Sequence, residues 1–63
     1  MKIHPSLTVK KVIAACRRDD YTGFCIACGA SQKGCEPDAR NYECKKCHGL
    51  QVFGAEELLF YVG

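Results

Sequence analysis

Two Cys-x-x-Cys units constrain this chain more than any other feature of its sequence. The first unit is Cys25 with Cys28, the second is Cys44 with Cys47, and fifteen residues separate the two units. This spacing is typical of zinc sites. Two cysteines on one tight turn direct both sulfurs at a point about 2.3 Å away, and two such turns complete a tetrahedron. The spacing therefore predicts one Zn²⁺ ion per chain, bound by these four thiolates.

The chain is so short that a bound metal is expected to stabilise its fold. A chain of 63 residues is one domain at most, and a domain of about 60 residues buries only about 60% of the surface that its unfolded chain exposes. Chains this small usually depend on disulfides, a metal or a partner subunit. No apolar run suits a signal peptide or a membrane span, so we expect a cytoplasmic protein whose thiols stay reduced. Disulfide-bonded or simply buried cysteine pairs are one alternative, and iron in the four-thiolate site is another.

The remaining sequence predicts a small, metal-stabilised α+β domain over residues 1–63. A helix is expected from residue 6 to about residue 18, with Ser6 as its N-cap. Asp19 and Asp20 are expected to end it, although acidic residues suit the C-terminal end of a helix dipole badly. One apolar stripe at helical spacing supports this helix and consists of Val9, Val12, Ile13 and Cys16.

The middle and the end of the chain have different patterns. Residues 21 to about 53 are expected to form the short strands and tight turns that carry the metal, with strands leading into Cys25 and Cys44. In the C-terminal segment 54–63, five consecutive apolar residues fit either a buried strand or a short helix. We favour a helix, because Glu56 and Glu57 would lie in its first turn, where the helix dipole favours acidic side chains.

Two cysteines lie outside the paired turns. Cys16 is expected to pack as a small hydrophobic residue, and Cys35 is expected to be a free, partly exposed thiol in the connection between the turns. In an alternative arrangement, Cys35 replaces one of the four ligands or binds a second ion with His48. Gly29 follows the first turn, and His48 follows the second turn, where the chain often needs a left-handed backbone conformation.

The sequence contains no set of residues that indicates catalysis. Catalytic zinc keeps one coordination position open for water or substrate, whereas four cysteines close the shell. The His-x-Glu element of zinc deaminases does not occur beside either cysteine pair. We therefore expect a protein that is not an enzyme.

A basic face on the N-terminal helix is the best candidate for a contact surface. The residues that form it are Lys10, Lys11, Arg17 and Arg18. Such a face could contact phosphates, although basic residues on the polar side of a helix are also ordinary solvated groups. The formal net charge of +2 falls to about zero when four thiolates and one divalent ion are included. A near-neutral protein has little general attraction for nucleic acid.

Residues 21 to about 59 resemble a known group of proteins. The segments that carry the resemblance are 23–29, 36–44, 42–47 and 52–59. They are similar to the zinc ribbons of small proteins encoded by bacteriophages and prophages, most of which have no assigned activity. The resemblance implies a zinc ribbon with four thiolate ligands and no catalysis. Two residues depart from the pattern, because His48 stands where the group has glycine and Cys35 is an additional thiol.

These observations lead to two functional expectations. The first is a phage or prophage protein that binds a host or phage protein, for example to inhibit a defence or transcription complex. The second is a zinc ribbon that binds nucleic acid through the basic helix face. A homodimer formed through the apolar C-terminal run is a further alternative.

Overall fold

The computed structural model describes residues 2–62, so Met1 and Gly63, at the two ends of the predicted domain, lie outside the described residues. The elements, in chain order, are helix α1 (Val9–Arg18), strand β1 (Gly23–Cys25), strand β2 (Ser31–Gln32), strand β3 (Val52–Gly54) and helix α2 (Ala55–Val62). The three strands form an antiparallel sheet in the order β2-β1-β3. The predicted small α+β fold with a helix at each end is confirmed, and the C-terminal run is helix rather than strand.

Helix α1 begins later than the sequence predicted. Thr8, not Ser6, is the N-cap, because its backbone is extended and its hydroxyl accepts a hydrogen bond from the Lys11 amide at 3.2 Å. The Ser6 hydroxyl instead lies 2.8 Å from Nδ1 of His4. The predicted start at residue 6 is therefore wrong. The predicted end is confirmed, because Asp19 is the C-cap with a left-handed φ of 52°.

Asp20 connects the end of α1 to the loop that follows β2. Its carboxylate accepts hydrogen bonds from Lys33, Thr22 and Arg18, and Lys33 contributes most to holding the pKa of Asp20 well below its usual range. A lowered carboxyl pKa stabilises the fold above the unfolded value of about 3.9 and loses this effect as the pH falls below it. The two cations also offset the unfavourable position of this acid near the end of the helix.

The core lies between the two helices and one face of the sheet. Its buried side chains are Leu7, Val12, Ala15, Phe24, Ile26, Phe53, Ala55 and Leu58. The predicted apolar stripe of α1 is only partly correct: Val12 is buried and Cys16 packs half-buried against the core, whereas Val9 is 39% exposed. The buried side of α1 is thus centred on Val12 and Ala15, and the outer part of the stripe is left at the surface. Within residues 2–62, no helix is long and apolar enough to cross a membrane.

A buried carboxylate fixes α2 against the loop that follows β2. The Glu57 amide donates to the Pro37 carbonyl at 3.0 Å. The Glu57 side chain is 6% exposed, and its Oε2 atom lies 2.9 Å from Nε of Arg40 and 3.1 Å from the hydroxyl of Tyr61. The contacts with Arg40 and Tyr61 compensate the Glu57 carboxylate for the hydration that it loses on burial.

Substitution of Arg40 by alanine is expected to lower the free energy of unfolding by about 1–3 kcal/mol, since Glu57 would keep only the Tyr61 hydroxyl. Arg40 is 64% exposed, so water reduces the cost below the 3–5 kcal/mol typical of a fully buried pair. Urea denaturation with excess zinc measures the change. The matched control is Arg17→Ala, whose side chain has no carboxylate partner among residues 2–62 and should change stability by less than about 0.5 kcal/mol. Equal losses in both variants would contradict the assigned role of Glu57.

Candidate metal centre

The two Cys-x-x-Cys turns bring four sulfur atoms into one cluster. The cluster consists of Cys25, Cys28, Cys44 and Cys47, whose Sγ atoms all lie within 4.8 Å of one another. The Sγ atoms of Cys25 and Cys47 are 3.7 Å apart, and those of Cys28 and Cys44 are 3.6 Å apart. A tetrahedron with metal–sulfur bonds of about 2.3 Å has edges of about 3.8 Å. The cluster therefore has the dimensions of a site that could hold a metal ion.

The cluster contains no disulfide bond. A disulfide has a sulfur–sulfur distance of about 2.05 Å, far shorter than the separations found between the two turns. All four cysteines of the cluster are free thiols, as are Cys16 and Cys35. The alternative of disulfide-bonded pairs is therefore not what the structure contains.

The two turns have the same backbone hydrogen-bonding pattern. In the first turn, the Cys25 amide donates to the Ala30 carbonyl and the Gly29 amide donates to the Cys25 carbonyl, both at 2.8 Å. In the second turn, the amides of Cys44 and His48 make the corresponding bonds, again at 2.8 Å. Each turn closes through a left-handed residue. The φ angles are 81° at Gly29 and 65° at His48, so the expectation that His48 takes this conformation is confirmed.

Strand β3 brings the two turns together. On one side, Val52 lies opposite Cys25 in the register of β1 and β3. On its other side, Val52 exchanges two backbone hydrogen bonds with Tyr42, each of 3.0 Å. Tyr42 precedes Cys44 by two residues, so one short segment positions both cysteine pairs. The strand predicted before Cys44 is reduced to this single bridge.

Gln32 is a supporting residue that sequence reasoning missed. It belongs to β2, and its side-chain amide spans the gap to the second turn. Its Oε1 atom accepts from the Lys45 amide at 3.1 Å, and its Nε2 atom donates to the Glu43 carbonyl at 3.2 Å. A glutamine between two turns has no sequence signal for this role, because the contact exists only after β2 has paired with β1.

The surroundings of the four thiols differ in polarity. The amides of Cys47 and Lys46 each lie 3.4 Å from the Cys44 sulfur, and these hydrogen bonds, led by that of Cys47, lower the pKa of Cys44 to about 6. Burial raises the pKa of the Cys25 thiol to about 11. Cys25 and Cys44 are buried, whereas Cys47 is exposed. A metal ion held here would require all four thiols to be deprotonated.

Cys35 is not the exposed thiol that the sequence suggested. Its side chain is only 1% exposed, and it belongs to a small second core cluster with Ala39 and Val52. It packs tightly against Gly23, where an added Cβ would lie 2.6 Å from the Cys35 sulfur. Cys35 lies outside the group of four sulfurs, and among residues 2–62 no group of three or more potential metal ligands contains Cys35 and His48. The sheet buries Cys35 because its amide donates to the Tyr21 carbonyl beside β1.

Cys16 and Cys35 both line a cavity of about 20 Å³ between α1 and α2. This volume holds about one water molecule and leaves no room for a substrate. Burial and then the charge of Glu56 raise the pKa of the half-buried Cys16 thiol, which disfavours its thiolate form.

The four basic residues of α1 do not act as one uniform surface. The Nζ atom of Lys11 lies 5.7 Å from the ring centroid of Phe24, and Nε of Arg18 lies 3.2 Å from a carboxylate oxygen of Asp20. Lys10 and Arg17 lie instead beside exposed apolar side chains of the same helix. Three aromatic residues that could stack on bases if exposed differ in burial, because Phe24 and Phe53 are buried and Tyr42 is exposed.

No protein-family model, curated protein or solved structure matches this chain. The comparisons therefore support neither a family nor a phage origin for this chain, and the support for a zinc-ribbon-like site is the cluster of four cysteines.

Proposed function

We propose that this protein is a zinc ribbon that holds one structural Zn²⁺ ion and acts by binding another macromolecule. The observation that supports the metal is the arrangement of the four sulfurs, whose 3.6 and 3.7 Å separations match the edge of a zinc–thiolate tetrahedron. Thiolate ligands suit both zinc and iron, and we propose zinc because the spacing of the two cysteine pairs is typical of zinc sites.

The proposed zinc has a structural role and not a catalytic one. Four cysteine ligands would leave no coordination position for water, so the ion could not generate a nucleophile or polarise a carbonyl group. The ion would instead hold the two turns together and so stabilise a domain whose core is small, as metals do in domains of this size. With a structural rather than a catalytic ion, we propose that the chain acts by binding another molecule through its surface.

We propose that the macromolecule bound is a protein. If the chain is of phage or prophage origin, this binding would take place in the host cytoplasm. The phage or prophage origin has the sequence resemblance as its only support, and inhibition of a defence or transcription complex would be one form of such binding. Nucleic-acid binding by the basic residues of α1 is the alternative. It has less support, because Lys11 and Arg18 are already engaged within the protein and the zinc-bound chain would have a net charge near zero.

Removal of the metal is expected to unfold the protein. Native mass spectrometry should find one zinc ion per chain, and circular dichroism should show loss of helix when a chelator in excess removes it, because ligand binding and folding are coupled in such domains. Readdition of zinc should restore the spectrum. A chain that remains folded without metal, or that purifies with iron, would overturn the proposed centre.

A further inference from the structure

One side of α1 faces away from the rest of the protein and combines apolar and basic residues. We call it the α1 outer face. Its residues are Val9, Lys10, Ile13, Ala14, Arg17 and Arg18, which together line one shallow surface depression. Val9 and Ala14 are exposed and Ile13 is half-buried. The core of the protein uses the opposite side of the helix, where Val12 and Ala15 are buried.

The charge on the α1 outer face is positive and largely uncompensated. Among residues 2–62, no carboxylate lies within 4.0 Å of the side-chain nitrogens of Lys10 or Arg17. Arg18, at the C-terminal edge, is paired with Asp20. Lys10 and Arg17 are seven residues apart, or two helical turns, so they lie on the same side of the helix with Ile13 and Ala14 between them.

From this arrangement we propose that the α1 outer face docks an amphipathic helix of a protein partner, with apolar residues along its centre and acidic residues at its edges. This inference rests on the proposed function and specifies the partner's chemistry. The positive charges of the α1 outer face complement acidic side chains of a partner. The exposed Val9 and half-buried Ile13 favour a partner that also presents apolar side chains. Interfaces commonly have such an apolar centre with a polar rim.

The apolar residues favour a protein over a nucleic acid. Phosphates gain nothing from Val9 or Ile13, and the Phe24 ring that lies beneath Lys11 is buried and cannot stack on a base. The dimensions suit a helix as the occupant. The ten residues of α1 span about 15 Å, which matches about three turns of a partner helix packed ridge into groove.

The test uses the zinc-bound protein and a fluorescein-labelled 21-residue peptide with leucine at the a and d positions of three heptads and glutamate at most other positions. Fluorescence anisotropy measures binding, with a shuffled peptide of the same composition and a 20-nucleotide single-stranded DNA as competing probes. Ile13→Ser tests the apolar contact, and Arg17→Glu tests the charge. Lys2→Glu, which reverses an exposed charge outside the α1 outer face, is the matched control.

We expect binding of the helical peptide to weaken by about tenfold or more in both Ile13→Ser and Arg17→Glu and by less than about twofold in Lys2→Glu. The inference is overturned by no binding of the peptide, by equal binding of the shuffled peptide, or by an effect of Arg17→Glu alone. It is also overturned by tighter binding of the DNA. A dimer in analytical ultracentrifugation that Ile13→Ser converts to monomer would show that a second copy of the chain occupies the face, which would also overturn the inference.

Failure of this inference and failure of the proposed metal centre have different signatures. Each variant is first checked for one zinc ion by native mass spectrometry and for helix content by circular dichroism. Intact zinc binding without peptide binding rejects only the docking surface. Absence of zinc from the unmodified protein rejects the metal centre on which the fold is proposed to depend.

Discussion

Replacement of Cys44 by alanine is expected to abolish metal binding and folding together. Cys44 is buried within the cluster, and its sulfur accepts hydrogen bonds from the amides of Lys46 and Cys47. Loss of this sulfur leaves three thiolates and removes the acceptor that organises the second turn. Structural zinc contributes an apparent free energy of about 10–16 kcal/mol at pH 7. The stability expected for 63 residues is only about 3–9 kcal/mol, so losing much of the metal's contribution should unfold the chain.

Cobalt titration followed by visible absorption measures this effect directly. Co²⁺ bound by four thiolates in a tetrahedron gives strong ligand-field bands, which the unmodified protein should develop at one equivalent and the Cys44→Ala variant should not. Circular dichroism of the same samples reports the fold.

The control for this experiment is Cys35→Ala, which also removes a buried sulfur but lies outside the cluster. It should cost about 1 kcal/mol of stability through a small cavity and leave the cobalt spectrum and the stoichiometry unchanged. A folded Cys44→Ala variant with one bound ion would show that another residue completes the site, and loss of the spectrum in Cys35→Ala would identify that residue as Cys35.

The second large effect is expected from Gly54→Ala, at the junction of β3 and α2. A Cβ atom at this position would overlap the carbonyl oxygens of Glu36 and Pro37 and would lie 2.7 Å from the carbonyl carbon of Pro37. These are backbone atoms. The same loop is held in place by two hydrogen bonds of 3.0 Å, from the Gly54 amide to Ala39 and from the Glu57 amide to Pro37.

The loop cannot move away from a new methyl group without breaking those bonds. We expect Gly54→Ala to lower the free energy of unfolding by about 3 kcal/mol or more, at the upper end of the cost of overpacking. For a domain of this size, this corresponds to a fall in Tm of at least about 12 °C. Thermal unfolding with excess zinc separates this steric effect from a change in metal occupancy.

Gly49→Ala is the matched control for this second prediction. Its added Cβ would meet only the Cys47 sulfur, at an ordinary contact distance of 3.6 Å. Its Tm should change by less than a third of the change in Gly54→Ala. Similar changes in the two variants would show that the close approach at Gly54 is not what limits substitution there.

The sequence by itself determined the position of the candidate site. Metal-binding turns are local structures, so the spacing of the four cysteines was enough to predict that their sulfurs would meet. The left-handed residue after each turn was predictable for the same reason. The helix at each end followed from apolar periodicity and from acidic residues at the start of α2, which are also local signals.

Only the tertiary structure decided the features that depend on contacts between distant segments. Cys35 looked exposed because its neighbours in sequence are polar, yet pairing near β1 buries it against Gly23. The local sequence favours Ser6 as the N-cap, but the Ser6 hydroxyl lies beside the ring of His4 and Thr8 caps the helix instead. The stripe on α1 looked like one buried face, but the core is too small to cover Val9, and this leaves the α1 outer face at the surface. Burial is a property of what packs against a residue, and no local pattern specifies it.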